Sequence, residues 1–143
     1  MKIDIGPYKE NRKENITIHP YDTWNLDNTL AKIIVPCLKQ LKETTHGAPN
    51  TDNEDVPECL RGEGCFENGD VDDKFFDRWD YILDEMIWAF EQIADDEKEN
   101  PAFYDDPDAK FGVSIDHYLL NVYEERISNG LRLFGKYYRG LWD

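Results

Sequence analysis

Apolar and polar positions alternate with period two twice near the start of the chain, in Lys2-Ile3-Asp4-Ile5 and in Asn15-Ile16-Thr17-Ile18-His19, with polar residues from Lys9 to Glu14 between them. Period two marks strands with one apolar face, so residues 1–21 are predicted to form a β-hairpin. Two strands alone are marginal in water, and this hairpin needs a helix or another chain to lie on. From residue 22 to residue 43 the period becomes helical: Leu26, Leu30, Ile33, Ile34, Cys37 and Leu41 share one face, with Asp22 or Asn25 as N-cap. Pro36 inside this segment lacks an amide donor and clashes with the carbonyl four residues back, so a kink is expected there.

Residues 44–73 lose all periodicity and are rich in Gly, Pro, Asn and acidic residues, with at most a short turn near Pro57 to Leu60. Thirty such residues inside a small domain point to a functional or disordered loop. A second helix is predicted over residues 74–95. Phe75, Trp79, Ile82, Leu83, Met86, Phe90 and Ile93 form its apolar stripe. A second acidic loop follows over residues 96–113, broken by Pro101 and Pro107, and a last helix over residues 114–142 places Leu119, Tyr123, Ile127, Phe134, Tyr137 and Leu141 on one face, with Gly130 among them. The fold class is mainly α: a small single domain with three principal helices, an N-terminal β-hairpin and long acidic loops.

Composition supports a folded chain, because 40% hydrophobic and 13% aromatic residues supply a core that a disordered acidic chain lacks, even at 33% charged and a mean hydropathy of −0.75. No stretch reaches the roughly 18 consecutive apolar residues of a membrane span, and no signal-peptide core precedes the first strand, so a cytosolic protein is expected. Cys37, Cys59 and Cys65 are an odd number without His or Cys at zinc-site spacing, which favours free thiols.

Charge is distributed unevenly: residues 1–50 carry +1, residues 51–110 carry −16 and residues 111–143 carry 0. Such a field selects partners of opposite sign and makes nucleic acid an unlikely one. On the second helix Asp77, Asp80, Asp84, Glu91 and Asp95 fall within about 60° of one another, with Trp88 in the gap and Tyr81 beside it. Carboxylates four residues apart repel, so this ridge does not serve helix stability. A solvated face is the plain explanation, and an exposed Trp88 among charges would instead mark a binding surface. On the last helix Arg132, Lys136 and Arg139 form a basic row, expected to face outward. That row leaves three arrangements open: a homo-oligomer of basic row against acidic ridge, intramolecular pairing with the acidic loops, or contact with an anion or nucleotide.

Chemistry is sparse. There is no Gly-x-Ser-x-Gly elbow, none of His19, His46 and His117 has a sequence-local triad partner, and Gly62, Gly64 and Gly69 lie in an acidic loop that repels phosphate. No catalytic residue, metal ligand or cofactor is assigned. Asp80 and Asp84, with Glu91 or Asp95, would hold Mg²⁺ only under one alternative. In outline this resembles the all-α nucleoside triphosphate pyrophosphohydrolases, whose helices carry Glu-Glu-x-x-Glu and Glu-x-x-Asp. The chain departs from that pattern, with Trp88 after Asp84-Glu85 and Ser128 after Glu124-Glu125.

Longer strings carry a second likeness: Tyr21-Asp22-Thr23-Trp24, His46-Gly47-Ala48-Pro49, Glu54-Asp55-Val56-Pro57-Glu58, the run from Arg78 to Glu91 and the run from Arg126 to Tyr138. From about residue 16 onward the chain resembles a family of small tailed-bacteriophage proteins without an established activity. The resemblance implies expression in the cytoplasm of an infected bacterium or a place in the virion, and it carries over no site residue. The expected function is a non-catalytic acidic protein that engages a host or phage protein, such as one that handles nucleic acid, through Asp77, Asp80, Asp84, Trp88, Glu91 and Asp95. The alternatives are a virion or assembly component, the Mg-dependent hydrolase, and a nucleotide-binding sponge using Arg132, Lys136 and Arg139.

Overall fold

A computed structural model describes residues 1–6, 10–95 and 99–142. Lys9 of the first connection and Glu97 of the second acidic loop lie outside the described residues. Strands β1 (Lys2–Asp4) and β2 (Asn15–Thr17) pair antiparallel, with Ile3 opposite Ile16, as the period-two pattern predicts. Helix α1 spans Leu26–Thr44, α2 Phe75–Ala94 and α3 His117–Tyr137. The mainly α fold with three principal helices and an N-terminal hairpin is therefore the observed one.

Boundaries differ for local reasons. Asn25 stands at the N-cap of α1 without a side-chain cap bond. Asp22 instead closes a 3₁₀ turn, Pro20–Thr23, by accepting the His19 amide at 2.7 Å while the His19 ring accepts from Tyr21, a reciprocal capping box. Helix α1 runs through Pro36, which stands at an exposed position on it. The second acidic loop contains a hairpin that its composition concealed. Strands β3 (Phe103–Asp105) and β4 (Val113–Ile115) pair with Phe103 opposite Ile115, Tyr104 opposite Ser114 and Asp105 opposite Val113. Because residues 113–115 are a strand, α3 starts later than expected, at an N-cap Asp116 that accepts from the amides of Tyr118 and Leu119.

Helix α2 is the centre of the molecule, packed by α1 on one side and α3 on the other. Its predicted stripe is buried: Trp79, Ile82, Leu83 and Met86 are almost fully enclosed, joined by Phe75 and Phe90. Two neighbours bury more than one stripe, so Arg78, Glu85, Ile87 and Ala89 are covered as well. Both flanking helices run antiparallel to α2. Asn28 near the start of α1 donates to the carbonyls of Ile93 and Ala94, and Lys42 near its end pairs with Asp84. On the other side Tyr137 meets Trp79 edge-on at 5.9 Å and Tyr123 reaches Gln92. Gly130 lets α3 approach this closely, since a Cβ there would stand 2.3 Å from the Ala89 Cβ and 2.6 Å from the Glu85 carbonyl oxygen.

Candidate functional site

The carboxylate ridge runs along the outer side of α2, between its two neighbours. Asp77, Asp80 and Asp84 are exposed on it, and Asp95 is exposed just past the end of the helix. The row is not a uniform negative face. Asp84 lies 2.5 Å from Lys42 Nζ and Glu91 2.6 Å from Lys39 Nζ, so two of its carboxylates are tied to α1.

Trp88 departs from the expected exposed anchor. It is half-buried, with its ring edge-on to Tyr123 at 5.6 Å and the Arg126 guanidinium stacked over its face at 3.9 Å. Arg126 also grips Glu85 with two hydrogen bonds, of 3.1 and 2.7 Å. Tyr81, Glu85, Trp88 and Gln92 recur every three or four residues, and the twist of the helix turns this row toward α3. A cation over an indole face with its charge also neutralised by a carboxylate is a structural clamp between α2 and α3.

The basic row has a definite role within the molecule. All three members are exposed, as expected, and of the arrangements left open the pairing with an acidic loop is the one observed, for Arg132 and Lys136. Arg132 pairs with Asp55 at 2.7 Å, and Lys136 lies 2.5 Å from both Asp52 and Asp55. Tyr137 donates its hydroxyl to Asp55 at 2.6 Å and accepts the Asp52 amide at 2.9 Å. Burial pushes the Asp55 carboxyl up, but the hydrogen bonds from Lys136, Tyr137 and Arg132 outweigh it and hold the group below its ordinary range. Arg139, in the 3₁₀ turn Tyr138–Gly140, is exposed.

A second tie holds the far end of the same loop. Asp72 receives both Arg78 nitrogens, at 3.0 and 2.7 Å, and the amides of Gly64 and Lys74. The Arg78 hydrogen bonds lower its pKa most, burial opposes them and the two backbone amides add to the lowering. Arg78 is only 1% exposed and also donates to the Leu60 carbonyl. Asn53 and Gly62 exchange two hydrogen bonds across the loop, and Cys65 and Val71 form a bridge. Residues 45–74, without periodicity in sequence, thus form a wrap anchored by three carboxylates, Asp52, Asp55 and Asp72, whose partners lie on α2 and α3.

Comparison with protein-family models, with curated proteins and with solved structures found no match. The geometry of the chain itself therefore carries the functional reading. Among the described residues no group of three or more His, Cys, Asp or Glu side chains stands together in a way that could hold a metal ion, and no helix is long and apolar enough to cross a membrane. The ridge carboxylates are strung along one helix instead of converging, which offers the Mg-dependent alternative no shared ligand set. Cys37, Cys59 and Cys65 are exposed and free.

Sequence reasoning missed Asp52, Asp55 and Asp72 as the residues that organise the loop. Only Asp72 carried a local signal, six residues before Arg78. The partners of Asp52 and Asp55 lie about eighty residues away, and no periodicity links them.

Proposed function

We propose that the protein is a non-catalytic binding protein that engages a basic surface of a second protein through the exposed carboxylates of α2, and that it acts in an infected bacterial cell on a host or phage protein that handles nucleic acid. The observation that carries this reading is the placement of Asp77, Asp80 and Asp84 on the outer side of a helix whose other sides are locked between α1 and α3. The rise of a helix spaces these three over about 10 Å, and the rigid scaffold presents them without an ordering cost at binding. Lys39 and Lys42 border the row on one side, which narrows the negative strip a basic partner would meet. The net charge of −15 adds long-range steering toward such a partner.

The test is a triple variant, Asp77→Asn, Asp80→Asn and Asp84→Asn, compared with the wild type in affinity capture from bacterial lysate with the captured protein identified by mass spectrometry. The expected outcome is an unchanged helical circular dichroism spectrum and loss of a captured protein whose binding to the wild type weakens as salt rises. Capture that survives the triple substitution would show the ridge to be a solvated face.

A further inference from the structure

Two Asn-Gly pairs occur in the chain, Asn68-Gly69 and Asn129-Gly130, and the fold treats them oppositely. The first lies at the tip of a tight turn in the wrap. The Phe66 amide bonds the Asp70 carbonyl at 2.8 Å, the Gly69 amide turns back to the Phe66 carbonyl at 3.0 Å, and Cys65 bridges Val71 below them. A three-residue loop of this kind ends on a left-handed residue, and Gly69 takes that place with φ at +88°. Asn68 and Gly69 are both exposed, and nothing stands within 4 Å of a Cβ built on Gly69. The Asn68 side chain is folded forward over this peptide: its Oδ1 accepts the Asp70 amide at 3.1 Å and its Nδ2 donates to the Asp70 carboxylate at 2.6 Å. A side-chain oxygen bonded to the amide two residues on carries its Cγ alongside the intervening nitrogen, which is that of Gly69. The second pair lies inside α3. Gly130 is buried against α2, its amide belongs to the hydrogen-bond ladder of the helix, and the Asn129 Oδ1 accepts from the Arg132 guanidinium at 3.1 and 2.8 Å.

We propose that Asn68 is a site of spontaneous deamidation and that the fold protects Asn129 from the same reaction. The Gly69 nitrogen loses its proton to solvent and attacks the Asn68 Cγ. The bond from Cγ to Nδ2 breaks, that nitrogen leaves as ammonia, and a five-membered succinimide closes between residues 68 and 69. Water then adds to one of the two ring carbonyls. Opening at Cγ gives aspartate, and opening at the main-chain carbonyl gives isoaspartate; water is the only co-reactant, and nothing is oxidised or reduced. Glycine at position 69 leaves the approach to Cγ unhindered, and freeing its amide costs one hydrogen bond in an exposed turn. Freeing the Gly130 amide requires opening a buried stretch of α3. Either product adds a carboxylate beside Asp70 and Asp72 and takes the formal net charge one unit below −15. Isoaspartate also lengthens the backbone by a methylene inside the turn, so the bonds that close it no longer match. At the foot of the turn the Asp72 amide bonds the Gly64 carbonyl at 3.0 Å and the Asp72 carboxylate accepts the Gly64 amide, so the change reaches the tie from Asp72 to Arg78.

Incubation of the full chain at mildly alkaline pH, with peptide mass spectrometry at intervals, tests this in the folded protein and in concentrated urea. The expected conversion in the folded protein is at least about tenfold faster at Asn68 than at Asn129, and the two rates converge in urea, where no helix protects the second site. Asn68→Gln, whose longer side chain must close a six-membered ring, is expected to abolish conversion at position 68 with an unchanged helical spectrum. The isoaspartate form, separated by ion exchange, is expected to exchange the amides of residues 64–72 with deuterium faster than the unconverted protein. Equal rates at the two sites in the folded protein, faster conversion at Asn129, or no conversion at Asn68 under conditions where both react in urea each overturns the proposal. Unchanged amide exchange over residues 64–72 would overturn the reach of the change to Asp72.

Discussion

Asp55 is 7% exposed and yet ionised, because two cations and a tyrosine hydroxyl converge on its two oxygens. Removing its charge leaves Arg132 without its carboxylate partner and Lys136 with Asp52 alone, and both cations are partly solvated, which reduces the cost below that of a fully buried pair. Asp55→Asn is expected to destabilise the fold by about 2 kcal/mol in urea denaturation at pH 7. Asp55 and Asp72 both titrate below their ordinary value, so the stability they contribute is fully present above the unfolded carboxylate range and is lost as pH falls through their folded values. The urea midpoint is therefore expected to fall steeply on acidification from about pH 5 to pH 2, and Asp55→Asn to flatten part of that slope. An equal slope in wild type and variant would remove Asp55 from the account. At this scale the sequence showed the right residue types and little of their pairing: Arg132 and Lys136 were recognised as a row, while the carboxylates that neutralise them lie one loop and one helix away.

Gly130 and Gly135 stand five residues apart on one helix and make opposite predictions. A methyl group at Gly130 would strike Ala89 and the backbone of Glu85, forcing α2 and α3 apart, whereas nothing lies within 4 Å of a Cβ at Gly135. Gly130→Ala is expected to cost about 2 kcal/mol by overpacking, and Gly135→Ala to stabilise by about 0.5–1 kcal/mol through helix propensity. Thermal unfolding followed at 222 nm distinguishes the two directions. Periodicity made all three helices and the first hairpin legible, and it made Gly130 legible as a close-approach residue on the apolar face of α3. The second hairpin escaped because its strands are three residues each and lie among Asp, Pro and Gly, where composition reads as loop. Its pairing is completed by bonds within the hairpin itself, with the Asp116 amide bonded to the Ala102 carbonyl and Ser114 donating to Asp106.

For the whole molecule, a net charge of −15 on 143 residues sets self-repulsion against a limited number of ion pairs. Raising NaCl from about 0.05 to 0.5 M screens both, since the Debye length falls to a few ångströms. Repulsion acts among all thirty-one acidic residues, whereas the Lys39–Glu91 and Lys42–Asp84 pairs are solvent-exposed and contribute little. The melting temperature in calorimetry is therefore expected to rise by a few degrees with salt, and a fall would show that the ion pairs dominate. The sequence by itself determined the charge field, the three helices, the carboxylates at helical spacing on α2 and the apolar stripe opposite them, because these depend on spacing along one element. Only the tertiary structure decided that α2 lies between its neighbours and that Trp88 is clamped by Arg126. It also decided that two members of the basic row bind the chain's own acidic loop and that a second hairpin leads into α3. Each of these depends on which distant surfaces meet, and the helical and strand periods that organise a single element hold no record of that.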